Sequence, residues 1–371
     1  LQQLAQAIAT TLPPRRAVKR LFLDITATSR HDLRTGIERV VRALVKALLQ
    51  TPPHGYRIEP VYLHNAGEGW HYRSASSYTL QLLGSTTDQL PDDALEPEHG
   101  DTVLTLDIAH ELVQAQQAGL FNAYRQRGVR VLATVYDLLP VTLPKVFPPQ
   151  AEQGHAKWLE TVLQFDGAVC ISNTVAKELT DWHAQHPPTL GASDARKHYT
   201  IDWFHLGADI EHSAPSQGTP VEAPTLLAEL QRHPSFLMVG TIEPRKGYLQ
   251  VLQAFDQLWQ RGLQVHLVIV GRTGWKDLPI SSQRDIPATL EALNKHPQKN
   301  RLLHWIDNAS DEYLEKIYAA STCLIAASYG EGFGLPLIEA AQHRLPIIAR
   351  DIPVFREVAG EHAFYFDGLA P

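Results

Sequence analysis

The chain has 371 residues, of which 44% are hydrophobic and 20% charged, and its formal net charge is −7 at pH 7. The length exceeds that of one ordinary core and predicts two domains, and the composition is typical of a soluble globular enzyme. The negative charge disfavours nucleic acid or a polybasic membrane surface as the main partner, and no apolar run reaches the length of a membrane span.

The chain starts with a short stretch whose apolar residues fall on one helical face: Leu1, Leu4, Ala5, Ile8 and Leu12. This spacing predicts a short amphipathic helix. The stretch has no initiator Met and no basic region of a signal peptide. We therefore expect the chain to be a piece of a longer protein, with further domains outside it.

Short apolar runs alternate with helical patterns along the rest of the chain. The predicted strands are RLFLDIT, RIEPVYL, DTVLTLD, VRVLATVYD, GAVCIS, SFLMVGT, VHLVIVG, RLLHWI, CLIAAS and LPIIAR. The clearest helical patterns are GIERVVRALVKALL, YLQVLQAFDQLWQRG and SDEYLEKIYAAS. This alternation predicts an α/β protein with parallel sheets, because buried parallel strands read as continuous apolar runs.

A run rich in Pro, Ser, Thr and Gly, SAPSQGTPVEAPTLLAE, interrupts the alternation and is typical of an interdomain linker. It predicts an N-terminal Rossmann-like domain at 1–210 and a C-terminal one at 211–371. Ligands of open α/β sheets bind at the carboxyl ends of the strands. We therefore expect the two sheets to face a central cleft that holds the site.

The cysteines and histidines indicate no metal site. Cys170 and Cys323 lie in apolar runs and are predicted to pack in the core, in a reducing compartment. Two cysteines are too few for a cysteine-rich zinc site, and the chain contains no Asp-x-Asp and no His-Glu-x-x-His. We therefore predict a mechanism without a metal.

The loop after the SFLMVG strand is a candidate phosphate site. Arg245, Lys246 and Gly247 stand directly before a predicted helix. Two cations beside a helix N-terminus suit a phosphate group. The alternative is a solvated basic turn without a ligand.

The loop after the CLIAAS strand, SYGEGFGLPLIEAAQ, is a second candidate. Pro336 suits the first turn of a helix, where no N–H is needed. Gly332 and Gly334 would let a ligand approach the backbone closely. The free amides of the first turn, at 333–337, would then face the cleft and hold phosphate or sugar oxygens.

Two carboxylates, Glu331 and Glu339, flank this second loop. A carboxylate only accepts hydrogen bonds and can chelate adjacent hydroxyls, so acids at both ends of a diphosphate site fit a sugar nucleotide. Glu339 has an alternative role in complementing the helix dipole. A dinucleotide motif is disfavoured because Leu335 and Pro336 follow where a third glycine would be needed.

Three segments, VGTIEPRKG, SDEYLEKIYAAS and SYGEGFGLPLIEAAQHRLPIIARDIPVFREVAG, resemble the retaining, sugar-nucleotide-dependent glycosyltransferases of family 4, which have the GT-B fold. Three further segments, LDITATSRHDLRTGIERVVRALV, VYDLLPVTLPKVFP and FDGAVCISNTVAKEL, are similar to a branch rich in bacterial O-antigen and polysaccharide mannosyltransferases. The resemblance covers residues 20–368.

The resemblance implies roles for individual residues. Glu331 would contact the donor sugar and Glu339 the nucleotide ribose, while Arg245 and Lys246 neutralise the diphosphate. With Glu331, these two cations form the predicted catalytic set. The remaining donor-binding residues are Gly36, Gly240, Thr241, Gly332, Phe333, Gly334 and Leu335.

The chain departs from the family at two positions. Thr241 stands where many members carry an Arg, so Arg245 and Lys246 must supply more of the charge. Tyr136 and Asp137 stand where many members have a His-Asp pair, which leaves an imidazole missing from the predicted acceptor side. The chain also stops before the family's last helix, which crosses back onto the N-terminal domain.

The resulting prediction is retaining, metal-independent transfer of mannose from GDP-mannose to a hydroxyl of a growing glycan. No cofactor other than this donor is expected. The acceptor would be a glycan or lipid-linked glycan. The location would be the cytoplasm, at the inner face of the membrane.

A non-catalytic module of a polysaccharide assembly protein and a sugar-nucleotide epimerase stay open as alternatives. A glycoside hydrolase also uses two carboxylates but would not need the basic turn.

Overall fold

The computed structural model describes residues 18–30, 36–85, 90–187, 199–207 and 215–368. The helix predicted at the start of the chain and the predicted domain boundary between residues 210 and 211 both lie outside these ranges. None of the described helices is long and apolar enough to cross a membrane.

The N-terminal sheet has eight strands within the described residues: β1 (Lys19–Asp24), β2 (Tyr56–His64), β3 (His71–Ser74), β4 (Ala94–Leu95), β5 (Thr102–Thr105), β6 (Arg130–Val135), β7 (Gly167–Cys170) and β8 (Thr200–Trp203). Their order is β4-β3-β2-β1-β5-β6-β7-β8. Strand β3 pairs antiparallel with β2 and with β4, and the other pairs are parallel. The sheet is therefore parallel except at one edge, where the sequence predicted no strands.

Helices accompany this sheet between and beside its strands. They are α1 (Thr26–Arg30), α2 (Gly36–Gln50), α3 (Ser76–Leu82), α4 (His110–Gln117), α5 (Leu120–Gln126), α6 (Leu139–Thr142), α7 (Ala151–Val162) and α8 (Asn173–Gln185). A short 3₁₀ helix spans Pro144–Val146.

The C-terminal sheet has six described strands, all parallel: β9 (Ser235–Val239), β10 (His266–Val270), β11 (Leu303–Ile306), β12 (Cys323–Ala326), β13 (Ile347–Arg350) and β14 (Phe364–Phe366). Their order is β11-β10-β9-β12-β13-β14. The helices are α9 (Ala223–Arg232), α10 (Tyr248–Gln260), α11 (Ile286–Lys295), α12 (Asp311–Ala320), α13 (Leu335–Gln342) and α14 (Pro353–Ala359). Further 3₁₀ turns span Pro244–Lys246 and Ile280–Ser282.

Burial explains why the apolar runs form strands. All five residues of β10 are buried, as expected for a central parallel strand covered on both faces. Cys170 and Cys323 are buried free thiols, which confirms their predicted place in the core. The predicted architecture of two Rossmann-like domains is confirmed, and all ten predicted strands are present.

The two domains contact each other across the carboxyl ends of their strands. Phe333, in the loop before α13, is 4% exposed and belongs to a core cluster formed mainly by N-terminal residues, among them Leu23, Leu106 and Ile171. The Ser172 hydroxyl donates a 2.8 Å hydrogen bond to the Gly332 carbonyl. The loop that the sequence singled out is therefore also one of the contacts between the domains.

Candidate functional site

The basic turn lies between β9 and α10 and is held against the end of β12. Gly247 ends the 3₁₀ turn with a φ of 72°. A Cβ atom at this position would lie 2.5 Å from the carbonyl oxygen of Ala327. Both the left-handed backbone and the close approach require glycine. The turn is thereby fixed beside the loop that begins at Ser328, where the Tyr329 N–H donates to the Arg245 carbonyl.

Glu331, in the loop after β12, lies beside this turn and contacts both cations. Its Oε2 is 2.8 Å from Arg245 Nη1, and its Oε1 is 2.5 Å from Lys246 Nζ. The Ser328 hydroxyl donates to the same Oε1 at 2.6 Å. Arg245 Nε also pairs with Glu243 at 2.9 Å. Two cations and two carboxylates therefore neutralise one another, whereas the sequence predicted cations at the diphosphate and acids beyond its two ends.

The charged groups in this cluster shift one another's pKa values. Burial raises the pKa of Glu331, but Arg245 and Lys246 outweigh it and lower that pKa to about 2. Burial also lowers the pKa of Lys246, and the attraction of Glu331 does not fully offset it. The carboxylate is consequently ionised throughout the physiological pH range.

A cavity of about 330 Å³, including its open mouth, adjoins the cluster and reaches the N-terminus of α13. Lys246, Ser328 and Glu331 line it together with Gly334 and Leu337. Gly334 caps the helix with a φ of 95°, and Pro336 lies in the first turn. The cavity thus joins the predicted phosphate turn to the predicted amide site, as expected for loops at neighbouring strand ends.

Glu339 lies one helical turn further in and is 1% exposed. Its Oε2 accepts a hydrogen bond from the Tyr318 hydroxyl at 2.7 Å, and its Oε1 pairs with Arg39 Nη2 at 2.5 Å. Arg39 belongs to α2 of the other domain, so this ion pair also bridges the cleft. Sequence reasoning missed Arg39, although it stands three residues after Gly36 in the segment RTGIERV.

The predicted donor-binding glycines have distinct surroundings. A Cβ atom on Gly332 would lie 1.9 Å from the carbonyl oxygen of Tyr136, so protein backbone, rather than a ligand, occupies the space that glycine provides. Gly240 has a φ of 147°, and a Cβ atom there would lie 3.1 Å from Lys246 Cε. Gly36 is exposed at the start of α2, with open space around it.

Three other predicted donor-binding residues, Thr241, Phe333 and Leu335, are not among the residues that line the cavity. Thr241 follows Gly240 and is half-buried. Leu335 and Phe333 pack against the N-terminal domain. Their predicted contribution through backbone amides stays a prediction.

On the predicted acceptor side, Tyr136 is 3% exposed and its hydroxyl donates to the Leu106 carbonyl at 2.7 Å. An acceptor would reach this hydroxyl only if that bond broke, so the acceptor role of Tyr136 stays a prediction. Asp137 is half-buried, and its Oδ1 accepts from the Leu139 N–H at 3.0 Å. His155 Nε2 lies 3.0 Å from the Asp137 carbonyl oxygen, which places an imidazole close to the position where the sequence lacks one.

A known protein family matches the part of the chain that contains Arg245, Lys246 and both carboxylates. Residues 227–369 match the family described as glycosyl transferases group 1. This part of the chain is a group 1 glycosyltransferase domain. The predicted enzyme class is thereby confirmed.

The similarity to curated proteins extends over both domains. The chain is 40% identical over 362 residues to a serotype-specific mannosyltransferase, WbdA, of Escherichia coli, covering 96% of this chain and 40% of that protein. A second WbdA protein of Escherichia coli is 39% identical over 362 residues, covering 96% of this chain and 42% of that protein. The chain therefore spans about two fifths of the length of these curated relatives.

Solved structures of low sequence identity share the fold. An α,α-trehalose-phosphate synthase (UDP-forming) from Burkholderia vietnamiensis aligns with a TM-score of 0.59 at 12% identity, over 94% of this chain and 88% of that one. An Escherichia coli structure described as trehalose-6-phosphate bound with UDP-2-fluoro glucose aligns with a TM-score of 0.59 at 13% identity, over 94% of this chain and 88% of that one. These matches span both domains, and the predicted GT-B fold is confirmed.

Proposed function

We propose that the chain transfers mannose, with retention of configuration, from GDP-mannose to a hydroxyl of a growing O-antigen or polysaccharide glycan. The observation that carries this proposal is the cluster of Arg245, Lys246 and Glu331 beside the cavity at the N-terminus of α13. The mannosyl part rests on the names of the relatives, and the O-antigen part on the resemblance to O-antigen and polysaccharide mannosyltransferases. The choice of guanine rests on the subfamily resemblance.

The chemistry requires positive groups at the leaving diphosphate. As the glycosidic bond breaks, negative charge grows on the diphosphate, and fixed donors aimed at that charge lower the barrier. Arg245, Lys246 and the first amides of α13 fill this role without a metal. The acceptor oxygen attacks the anomeric carbon from the face that the diphosphate leaves, and a phosphate oxygen takes the acceptor's proton.

The charged side chains of the site pair with one another, and this pairing gives donor binding a specific form. A diphosphate oxygen replaces Glu331 as the partner of Lys246, and Glu331 accepts hydrogen bonds from hydroxyls of the donor sugar. Each charged group then exchanges one partner for another, so no buried charge is left unpaired. Glu339 is covered by Arg39 and Tyr318, so a ribose reaches it only if Arg39 moves.

The acceptor enters from the N-terminal domain, where Asp137 lies at the carboxyl end of β6. As the resemblance implies, the acceptor is a glycan or lipid-linked glycan, and the enzyme acts in the cytoplasm at the inner face of the membrane.

The test is to incubate the purified chain with a panel of sugar nucleotides and mannose oligosaccharides and to measure nucleotide release and product. We expect release of GDP from GDP-mannose only with acceptor, an α-linked product by NMR, and no loss of rate with EDTA. Calorimetry that finds binding of UDP and none of GDP would overturn the donor assignment. Epimerised donor without acceptor, or no release from any donor, would replace transfer by epimerisation or a non-catalytic role.

A further inference from the structure

A second cluster of polar side chains lies at the edge of the C-terminal sheet opposite the cavity. His266 is the first residue of β10 and His304 the second residue of β11, so both stand at the amino ends of their strands. Glu229 approaches them from the last turns of α9. Each side chain offers one ligand atom, and the three atoms lie within 4.8 Å of one another. The catalytic proposal uses none of them.

We propose that Glu229, His266 and His304 bind one divalent transition-metal ion, with Zn²⁺ as the best-matched cation. Two imidazole nitrogens and a carboxylate oxygen are the ligand types that zinc prefers, and three protein ligands leave one coordination position open. The site lies away from the cleft, so its role is to join α9 to the sheet rather than to take part in transfer.

The two imidazoles are already close to the spacing that a shared ion needs. His266 Nδ1 and His304 Nε2 are 3.1 Å apart and joined by a hydrogen bond. Two nitrogens on one tetrahedral zinc, each at about 2.0–2.1 Å, lie about 3.3–3.4 Å apart. The ion replaces the shared proton, and a tilt of the two nearly coplanar rings brings both lone pairs onto it. His266 then carries its proton on Nε2.

The surroundings keep these nitrogens able to bind a metal. Both rings are buried, at 4% and 8% exposure, and the neutral imidazole is the form of histidine that binds a metal. The His304 ring also hydrogen-bonds the backbone of Arg301, the kind of outer contact that orients a ligating histidine. Glu229 supplies a negative charge on the less buried side.

His233 adds a fourth group of the right type. It ends α9 four residues after Glu229, and its ring stacks on His266 with 5.6 Å between centroids. A rotation of this exposed side chain would bring it toward the open coordination position.

The experiment is zinc titration of the full chain after removal of any affinity tag and treatment with EDTA. We expect one equivalent of Zn²⁺ to bind by calorimetry, a rise in the thermal midpoint, and tetrahedral Co²⁺ absorption bands after substitution with cobalt. Glu229→Gln and His304→Gln should each weaken binding about tenfold or more. Glu229→Gln changes no buried group, so it should fold even if His304→Gln does not.

The chain offers a matched control in the pair of His296 and Asp256, whose Nε2 and Oδ1 are 2.8 Å apart in the same domain. Asp256→Asn and His296→Gln remove a similar imidazole and carboxylate but leave the proposed ligands in place, so zinc affinity should not change. If no stoichiometric binding occurs, or if Glu229→Gln and His304→Gln bind zinc like wild type, the result is an adventitious ion only and the proposal is wrong.

Discussion

Glu331 and Glu339 are both acids of the second loop and its helix, yet their surroundings differ. Glu331 pairs with Arg245 and Lys246 beside the cavity, whereas Glu339 is covered by Tyr318 and by Arg39 of the other domain. The proposed function places Glu331 at the bond that breaks and Glu339 at the ribose. Substitution of the two residues should therefore change different kinetic parameters.

We expect Glu331→Gln to lower kcat about a hundredfold, because a fixed charge at the reacting centre is lost. Glu339→Gln should mainly raise the donor KM, by about tenfold, because a ribose contact is present before and during reaction. Steady-state kinetics with GDP-mannose and a fixed acceptor measures both. A Glu331→Gln enzyme that turns over at the wild-type rate would make the loop a structural start of α13 only.

Lys246 provides a separate test of the phosphate site. Lys246→Ala removes a charge-assisted hydrogen bond to the diphosphate and should weaken GDP binding about tenfold or more, while guanosine binding stays unchanged. Calorimetry with both ligands measures this difference. Lys295→Ala is the control, because Lys295 forms a similar but exposed pair with Glu291. Equal weakening of GDP and guanosine would show that Lys246 is not a phosphate ligand.

Two buried acids of the N-terminal domain should make stability depend on pH. Burial and the neighbouring Asp24 raise the pKa of Asp107 to about 8, and burial raises that of Asp24 to about 6. A raised carboxyl pKa means that stability is greatest below the unfolded pKa, about 3.9, and is lost as pH rises through the folded value. The free energy of unfolding should therefore fall between about pH 4 and pH 8.

Asp107→Asn cannot ionise, yet it keeps an oxygen for the Thr28 N–H that Asp107 binds at 2.7 Å. We expect this variant to lose less stability than wild type between pH 6 and pH 9, as measured by urea unfolding followed by circular dichroism. The same loss in both proteins would show that Asp107 is not the titrating group.

At the scale of elements, the described strands that the sequence missed all lie at a sheet edge or next to one. β10 is an apolar run with five buried residues, whereas the missed β8, TIDW, has three exposed residues and β3 is the polar run HYRS. A continuous apolar run indicates a strand that is buried on both faces of its sheet, whereas an edge strand is not buried in this way. Strands near an edge are instead fixed by pairing with a neighbour, which one strand's sequence does not record.

The candidate site could also be predicted only in part from the sequence. The basic turn and the Glu331 loop meet because both follow central parallel strands. Their mutual ion pairs were not predictable, because strand order places loops side by side without setting distances between side chains. Arg39 belongs to the other domain, and its contact with Glu339 depends on how the two sheets face each other.

The helix α8 shows how one element joins the domains. Glu357 of α14 accepts from the backbone N–H groups of Asn173 and Thr174, both at 2.7 Å, and pairs with His205 at 2.7 Å. The free amides at a helix N-terminus are a natural site for a carboxylate. Burial raises the pKa of Glu357, but hydrogen bonds from Thr174, His205 and Asn173 outweigh it and lower that pKa.

We expect Glu357→Gln to destabilise the joined arrangement of the domains by about 1–2 kcal/mol, because the amide turns a donor toward N–H groups and loses the charge. Small-angle X-ray scattering should show a larger radius of gyration. Glu361→Gln, two residues after α14, is the control and should leave the scattering unchanged. An unchanged radius in Glu357→Gln would mean that other contacts hold the domains together.

At the scale of the whole molecule, the loop before α13 serves both the site and the domain interface. Gly332 touches the backbone of Tyr136, while Phe333 enters the N-terminal core cluster and Glu339 pairs with Arg39. The groups proposed to bind the donor are therefore held in part by the opposite domain. Binding and closure should be coupled, because a shift between the domains moves the same loop that lines the cavity.

Gly332→Ala tests this coupling. The φ of Gly332 is not in the left-handed region, so alanine fits the loop locally, but its Cβ would lie 1.9 Å from the Tyr136 carbonyl oxygen. Backbone cannot rotate away, so the domains must move apart by roughly 1 Å or more, and a misplacement of that size costs about a hundredfold in rate. We expect kcat/KM for GDP-mannose to fall by that order while circular dichroism shows both domains folded.

Gly330→Ala is the matched control two residues earlier. Its Cβ would meet only the ends of the Leu139 and Leu143 side chains, at 2.6 Å and 2.7 Å. These side chains can change rotamer, so the domain spacing and most of the activity should be retained. If Gly332→Ala has the same rate and radius of gyration as Gly330→Ala, transfer takes place in an arrangement in which this backbone contact is open.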